Sequence, residues 1–487
     1  MLVTADLLLD RPLDGIGGAH ALAVMLWQGE HAEAFGTFLR RKRLVTGKEL
    51  SVRKSAIQAL VGLAAFVPLA NAQPADSPLD PALRKAVVET FAGKLESDYA
   101  IAETGQAMAN AVRVKLGVGA YNGLSSGDDL AFALEKDARA VSHDLHLRVG
   151  YMQSREVRSA MMMAPSPELI RKQNGHISKL EILDGNVGYL RIDGFTAPEF
   201  AREPMTAAFA FLKSTDALII DARYNSGGDP NSVALLMSFL SEGKPYLVNT
   251  FHHREGGRIE EFWTTDLGGA SYGARKPLFV LTSKDTFSGG EEFAYDVKAF
   301  KRGLVVGETT GGGANPTRLA DLDHGFFALI PFARAVNPVT QTDWEGRGVS
   351  PDHATPAEQS LARAHRLALE ELKTHAQDLH ERARLEGFAL GLELANADLA
   401  GRRIANTQLK GVYAPAFPAP SFTVEERDGK LLLRLSGAPD AVLVPVMGNR
   451  YRLDGFPDGF FVTFLDRNGR LSFLQEQLGS ALIFTKQ

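Results

Sequence analysis

The sequence predicts an α/β core preceded by a helical segment and followed by an all-β tail, and three observations predict it. Between residues 141 and 356, apolar runs at 187–192, 217–220, 278–281 and 304–306 alternate with segments of helical period such as 206–212 and 232–240. That alternation is the mark of a mainly parallel sheet covered by helices. Residues 80–140 space their apolar side chains only at helical intervals, as in Val87, Val88, Phe91 and Leu95. After Leu409 the chain breaks into short β-prone runs separated by turns such as Asp428-Gly429, Gly448-Asn449 and Asn468-Gly469, which predicts a small antiparallel barrel or sandwich.

The elements follow in order. A basic stretch from Arg40 to Lys54 precedes an apolar segment at 56–69 and then Ala70-Asn71-Ala72. This is the layout of a secretory signal peptide cut between Ala72 and Gln73, which predicts a periplasmic or secreted protein. The apolar segment is shorter than the roughly 20 residues of a membrane helix. Residues 1–49 are odd for such a leader: either translation begins near Leu50 or Val52, or the leader is unusually long. Residues 73–81 read as a linker, 80–140 as a helical domain and 141–356 as the α/β core. Residues 357–406 read as a helical linker and candidate oligomer contact, and 407–487 as the β domain.

Composition narrows the function. At 487 residues, with 45% apolar and 23% charged side chains, the chain suits a soluble protein of two or three domains. The formal net charge of −5 argues against nucleic acid as a partner. The absence of cysteine excludes disulfides, thiolate metal sites and a thiol nucleophile. There is no His-Glu-x-x-His pattern, and no metal or cofactor is expected. The Gly311–Gly313 run lacks the lysine of a phosphate loop.

The segment from Leu278 to Glu292 reads as a strand, a sharp turn and a helix, with Ser288-Gly289-Gly290 at the turn. A serine there presents its hydroxyl at a helix N-terminus, where free N–H groups favour a developing negative charge. The same tripeptide is also an ordinary N-cap. Glu291 and Glu292, in the helix's first turn, read as partners of its dipole. Asp221 reads as holding Arg223 or the turn after it.

Three further segments are informative: Asp144-Leu145-His146-Leu147-Arg148, Asp221-Ala222-Arg223-Tyr224-Asn225-Ser226-Gly227-Gly228, and Asp343-Trp344-Glu345-Gly346. With the serine turn, they resemble the C-terminal-processing (tail-specific) serine peptidase family over residues 80–356, in its branch with the tricorn core and interphotoreceptor retinoid-binding protein. The resemblance implies a crotonase-like α/β core and Ser288 as nucleophile. It implies His146 as base, with His143 its nearest rival, and Glu345 as the carboxylate that orients the base. Oxyanion donors would be Gly289 and either Gly227 or Gly228. Tail-specific relatives carry a lysine about 25 positions after the serine, where this chain has Gly313, so a Ser-Lys dyad is disfavoured. Arg148 is a candidate for a substrate carboxylate or for an ordinary ion pair. The β tail is similar to the lipocalin-like tails of some serine hydrolases. Two functions stay open: a serine peptidase acting on peptides or proteins, and a non-catalytic carrier of apolar ligands.

Overall fold

A computed structural model describes residues 79–154, 165–395, 403–435, 439–467, 469–477 and 479–487. The signal-peptide reading and the linker up to Pro78 lie outside them. Among the described residues, no helix is long and apolar enough to cross a membrane.

Three helices come first: α1 (Pro81–Asp98), α2 (Ala102–Gly117) and α3 (Gly127–Ser142). Asp80 and Ser126 cap the first and third by accepting from backbone N–H groups. Their apolar stripes close on one another through Val88, Phe91, Met108 and Leu130. The same cluster includes Phe326 and Ala328 of a small antiparallel sheet, β1 (Arg148–Tyr151), β10 (Phe326–Pro331) and β9 (Thr317–Asp321). The helical segment is thus fastened to the core beside His146.

The core is a six-stranded sheet in the order β12 (His353–Ala354), β8 (Leu304–Gly307), β7 (Leu278–Thr282), β4 (Ala217–Asp221), β3 (Val187–Ile192) and β2 (Ile177–Leu183). All neighbours are parallel except the β3–β2 edge pair. β4 and β7 are buried along their whole length because both faces are covered, which is why they read as unbroken apolar runs. Leu218 and Ile220 face α5 (Pro198–Leu212), α6 (Pro230–Phe239) and α7 (Gly289–Ala299). Ala217 and Ile219 face α8 (Ser360–His375). A third sheet, β11 (Ala333–Val336), β5 (Leu247–His253) and β6 (Ile259–Trp263), packs beside the first of these layers. The short helix α4 (Pro167–Lys172) leads into β2.

The C-terminal strands form a closed barrel of eight: β13 (Gly411–Pro415), β14 (Phe422–Arg427), β15 (Lys430–Leu435), β16 (Ala441–Met447), β17 (Arg450–Leu453), β18 (Phe461–Arg467), β19 (Arg470–Gln477) and β20 (Ser480–Lys486). All pairings are antiparallel. Closure removes both sheet edges, and the interior is filled by Tyr413, Tyr451, Phe464, Phe473 and Phe484. The barrel docks through α9 (Leu379–Ala395), where Gly387 lies so close to β20 that any Cβ there would collide with the Ala481 carbonyl oxygen. The antiparallel barrel or sandwich expected after Leu409 is thus a barrel.

Candidate active site

Ser288 sits between β7 and α7 with φ 54° and ψ −124°, a conformation that costs a non-glycine residue on the order of 1–3 kcal/mol. The turn is held there by what surrounds it. The Ser288 N–H donates to Glu291 Oε2 at 2.9 Å. The Phe287 N–H donates to the Asn225 carbonyl, also at 2.9 Å. Gly227 is wedged against the serine, since a Cβ there would lie 2.6 Å from Ser288 Cβ.

Glu291 stands in the first turn of α7, where the sequence reads it as a partner of the helix dipole, and it does more there. It is fully buried, and its carboxylate accepts from the Ser288, Gly312 and Gly313 N–H groups and the Thr310 hydroxyl. Burial pushes its pKa up and these donors oppose the rise. Its work is to tie the Thr310–Gly313 loop to the serine turn. Glu292 is likewise buried and lines the cavity at Ser288. The missed signal lay in the glycines: a loop of bare N–H groups next to a carboxylate needs that carboxylate buried.

Two N–H groups near the serine are uncommitted. Gly227 donates to Asn225 Oδ1 at 2.9 Å, whereas the N–H groups of Gly228 and Gly289 have no protein acceptor among the described residues. They are close together: a Cβ on Gly289 would lie 3.2 Å from the Gly228 nitrogen.

His146 lies in the loop after α3, where His143 ends the helix in a left-handed conformation, exposed to solvent. The structure separates these rivals: His146 lines the same cavity as Ser288, and His143 does not. The His146 ring packs 4.5 Å from that of Phe287, and Gly313 makes room for it. Its backbone N–H donates to Asp144 Oδ1 at 2.9 Å. No hydrogen bond joins the His146 and Ser288 side chains among the described residues. Such contacts are often long before substrate arrives.

Glu345 reaches the histidine from the far side. Its Oε2 accepts from the Ala314 and Asn315 N–H groups, at 2.6 and 3.1 Å. The loop carrying it is anchored by buried Trp344, whose Nε1 donates to the Gly313 carbonyl at 2.7 Å. Asp144, His146 and Glu345 each bring one polar atom within 4.8 Å of the others. His146 Nδ1 and Glu345 Oε1 are buried without partners. Burial draws the His146 pKa down to about 4 and, with the Asp144 charge, pushes Glu345 up to about 8. Both Asp144 oxygens already accept hydrogen bonds, Oδ1 from the His146 N–H and Oδ2 from the Tyr99 hydroxyl and the Asn315 amide. The arrangement suits a shared proton better than a cation.

Arg148 pairs with Glu135 at 3.0 Å with half its side chain exposed, and it does not line the cavity. Asp221 accepts two hydrogen bonds from the Arg223 guanidinium, at 2.9 and 2.6 Å, and one from its backbone N–H at 3.1 Å. The Gly313 position offers no cation: its N–H is bound by Glu291 and its carbonyl by Trp344.

Comparison with known proteins gives this geometry its family. Residues 186–355 match the model of peptidase family S41, and residues 81–182 match that of the N-terminal domain of this family in eukaryotic IRBP. The chain is 29% identical over 173 residues to carboxyl-terminal-processing peptidase 2, chloroplastic, of Arabidopsis thaliana, covering 35% of this chain and 32% of that one. It is 28% identical over 137 residues to the tricorn protease of Thermoplasma volcanium, covering 27% of this chain and 12% of that one. Among solved structures, the photosystem II D1 C-terminal processing protease aligns with 17% identity and a TM-score of 0.39, over 56% of this chain and 93% of that one. The chain spans about a third of the length of the first curated relatives it matches. With the serine turn, the histidine and the glutamate all inside the matched segments, the chain belongs to peptidase family S41, the C-terminal-processing peptidases.

Proposed function

We propose that the protein is an exported serine peptidase that hydrolyses peptide bonds through an acyl-enzyme, with Ser288, His146 and Glu345 as its triad. The observation that carries this reading is Ser288, held in a strained turn beside two unspent N–H groups and sharing a cavity with His146.

In the first step the Ser288 Oγ attacks the substrate carbonyl carbon and its proton passes to His146. The carbonyl oxygen, now negative, rests on the Gly228 and Gly289 N–H groups. Each such donor is worth about 2.7–4 kcal/mol in other enzymes. The C–N bond then breaks and the departing amine takes the proton from His146. Water, deprotonated by the same imidazole, cleaves the ester and restores the serine. Glu345 orients the ring and stabilises the imidazolium. Gly227, its N–H already spent, shapes the turn instead of donating. We read the core as crotonase-like, a reading supported by the parallel sheet with helices on both faces. Export rests on the signal-peptide pattern alone.

The carrier reading, which places an apolar ligand on the same core, draws less support, because the cavity of that core is lined by Ser288, His146 and Glu292. Fluorophosphonate treatment of the mature protein followed by mass spectrometry tests the proposal. One adduct at Ser288 is expected, and none in Ser288→Ala. An unlabelled Ser288 in a folded protein would refute it.

A further inference from the structure

Glu292 follows Ser288 by four residues, one helical turn along α7. It is 3% exposed, its side chain lines the cavity at Ser288, and its Oε1 has no hydrogen-bond partner. Burial and the Asp229 charge push its pKa up to about 8, against the amide of Asn249. One turn further, Asp296 is fully buried with its Oδ2 unpartnered. Burying an acid without a cation or a complete set of donors destabilises a fold. Packing alone gives no reason for it, since an apolar side chain would fill the space at lower cost.

The cavity shows what would complete the set. It measures about 380 Å³, its walls include Pro230, Phe251 and Trp344, and among the described residues no lysine or arginine lines it. The only charge-bearing side chains that these residues bring to its surface are His146 and Glu292. An occupant matched to it has an apolar stem and a cationic, hydrogen-bond-donating head. A residue whose carbonyl rests on Gly228 and Gly289 carries its side chain on the neighbouring carbon, so that side chain enters this same cavity. Resting on the peptidase reading above, we infer that Glu292 is the specificity residue of the cavity and that the enzyme cleaves on the carboxyl side of lysine or arginine.

The test is a matched peptide series with lysine, arginine, norleucine or acetyl-lysine before the scissile bond, offered to the wild-type protein and to Glu292→Gln. For wild type, kcat/KM for lysine should exceed that for norleucine or acetyl-lysine by a factor on the order of 10², the usual range for a buried charge pair. In Glu292→Gln that ratio should collapse to within about threefold, while the variant still takes the fluorophosphonate at Ser288. A wild-type enzyme that labels at Ser288 yet cuts norleucine peptides as well as lysine peptides overturns this inference and leaves the peptidase reading standing. A lysine preference that survives in Glu292→Gln also overturns it. Absence of both label and hydrolysis removes the peptidase reading and the specificity with it. The wild-type series decides the matter even if the variant does not fold.

Discussion

His146 and Glu345 each bury one polar atom without a partner, Nδ1 and Oε1, and a nitrogen of the first lies within 4.8 Å of an oxygen of the second. Once the two meet in a hydrogen bond, their protonation decides which tautomer results. If Glu345 keeps a proton it donates to Nδ1, which leaves the ring hydrogen on Nε2, where it cannot accept from serine. If Glu345 is ionised it accepts from Nδ1–H, and Nε2 is free to act as base.

A pH dependence follows. With the His146 pKa at about 4 and that of Glu345 at about 8, the competent form is present above about pH 8 and lost as the pH falls. kcat/KM should therefore rise with pH, close to tenfold per pH unit, and level off above about 8. The limb belongs to the coupled pair as a whole. Asp144→Asn removes a like charge beside Glu345 and should move the midpoint to lower pH. A pH–rate profile whose midpoint is unmoved in that variant would take Asp144 out of the site's electrostatics.

Ser288 makes the second prediction. Ser288→Ala should lower turnover by a factor on the order of 10⁴ to 10⁶, the range seen when a serine nucleophile is removed. The backbone angles also set the variants apart. At φ 54° glycine is at ease and alanine is not, so Ser288→Gly should be more stable than Ser288→Ala by about 1 kcal/mol. Denaturant titration of the two inactive proteins measures this directly. Equal stabilities would mean the turn stores no strain for function.

Much of this site was legible because its residues are fixed by local chemistry. The strand, turn and helix around Ser288 follow from an apolar run, two glycines and a helical pattern, all close together in the chain. Trp344, in the segment that carried Glu345, proves to be the buried anchor whose indole holds Gly313. What stayed hidden depends on burial. The Ser288-x-x-Glu291 spacing marks a capping box, but nothing local shows that Glu291 also collects donors from the distant Thr310–Gly313 loop. The choice between Gly227 and Gly228 turns on which N–H Asn225 captures, a matter of a single turn's geometry.

Gly313 tests the space around the histidine. Its backbone would accept alanine, but a Cβ there would lie 2.7 Å from His146 Cε1 and press still harder on the Phe287 ring. Gly313→Ala should displace the imidazole by a few tenths of an ångström or more and lower kcat by about 10- to 100-fold. The stability loss should stay at about 1–3 kcal/mol, as for other overpacked sites. Single-turnover kinetics together with a thermal melt would separate the two effects. A fully active Gly313→Ala would show that His146 has room to spare and needs no support from this loop.

Asp296 makes the last prediction, about stability and pH. Burial and the neighbouring Glu292 hold its pKa well above the ordinary value, so the folded protein binds a proton more tightly than the unfolded chain does. The stabilisation is complete below the unfolded pKa of about 4 and is lost as pH rises toward the folded value. Wild-type stability should therefore decline as the pH rises above about 4. Asp296→Asn keeps the Oδ1 that accepts from Asn337 Nδ2 at 2.9 Å and removes the titration. It also gives the unpartnered side a donor that can face Glu292. Its stability should fall less steeply as the pH rises. Melting curves at pH 5 and pH 8 measure this, and parallel losses in the two proteins would mean that Asp296 does not carry the buried proton.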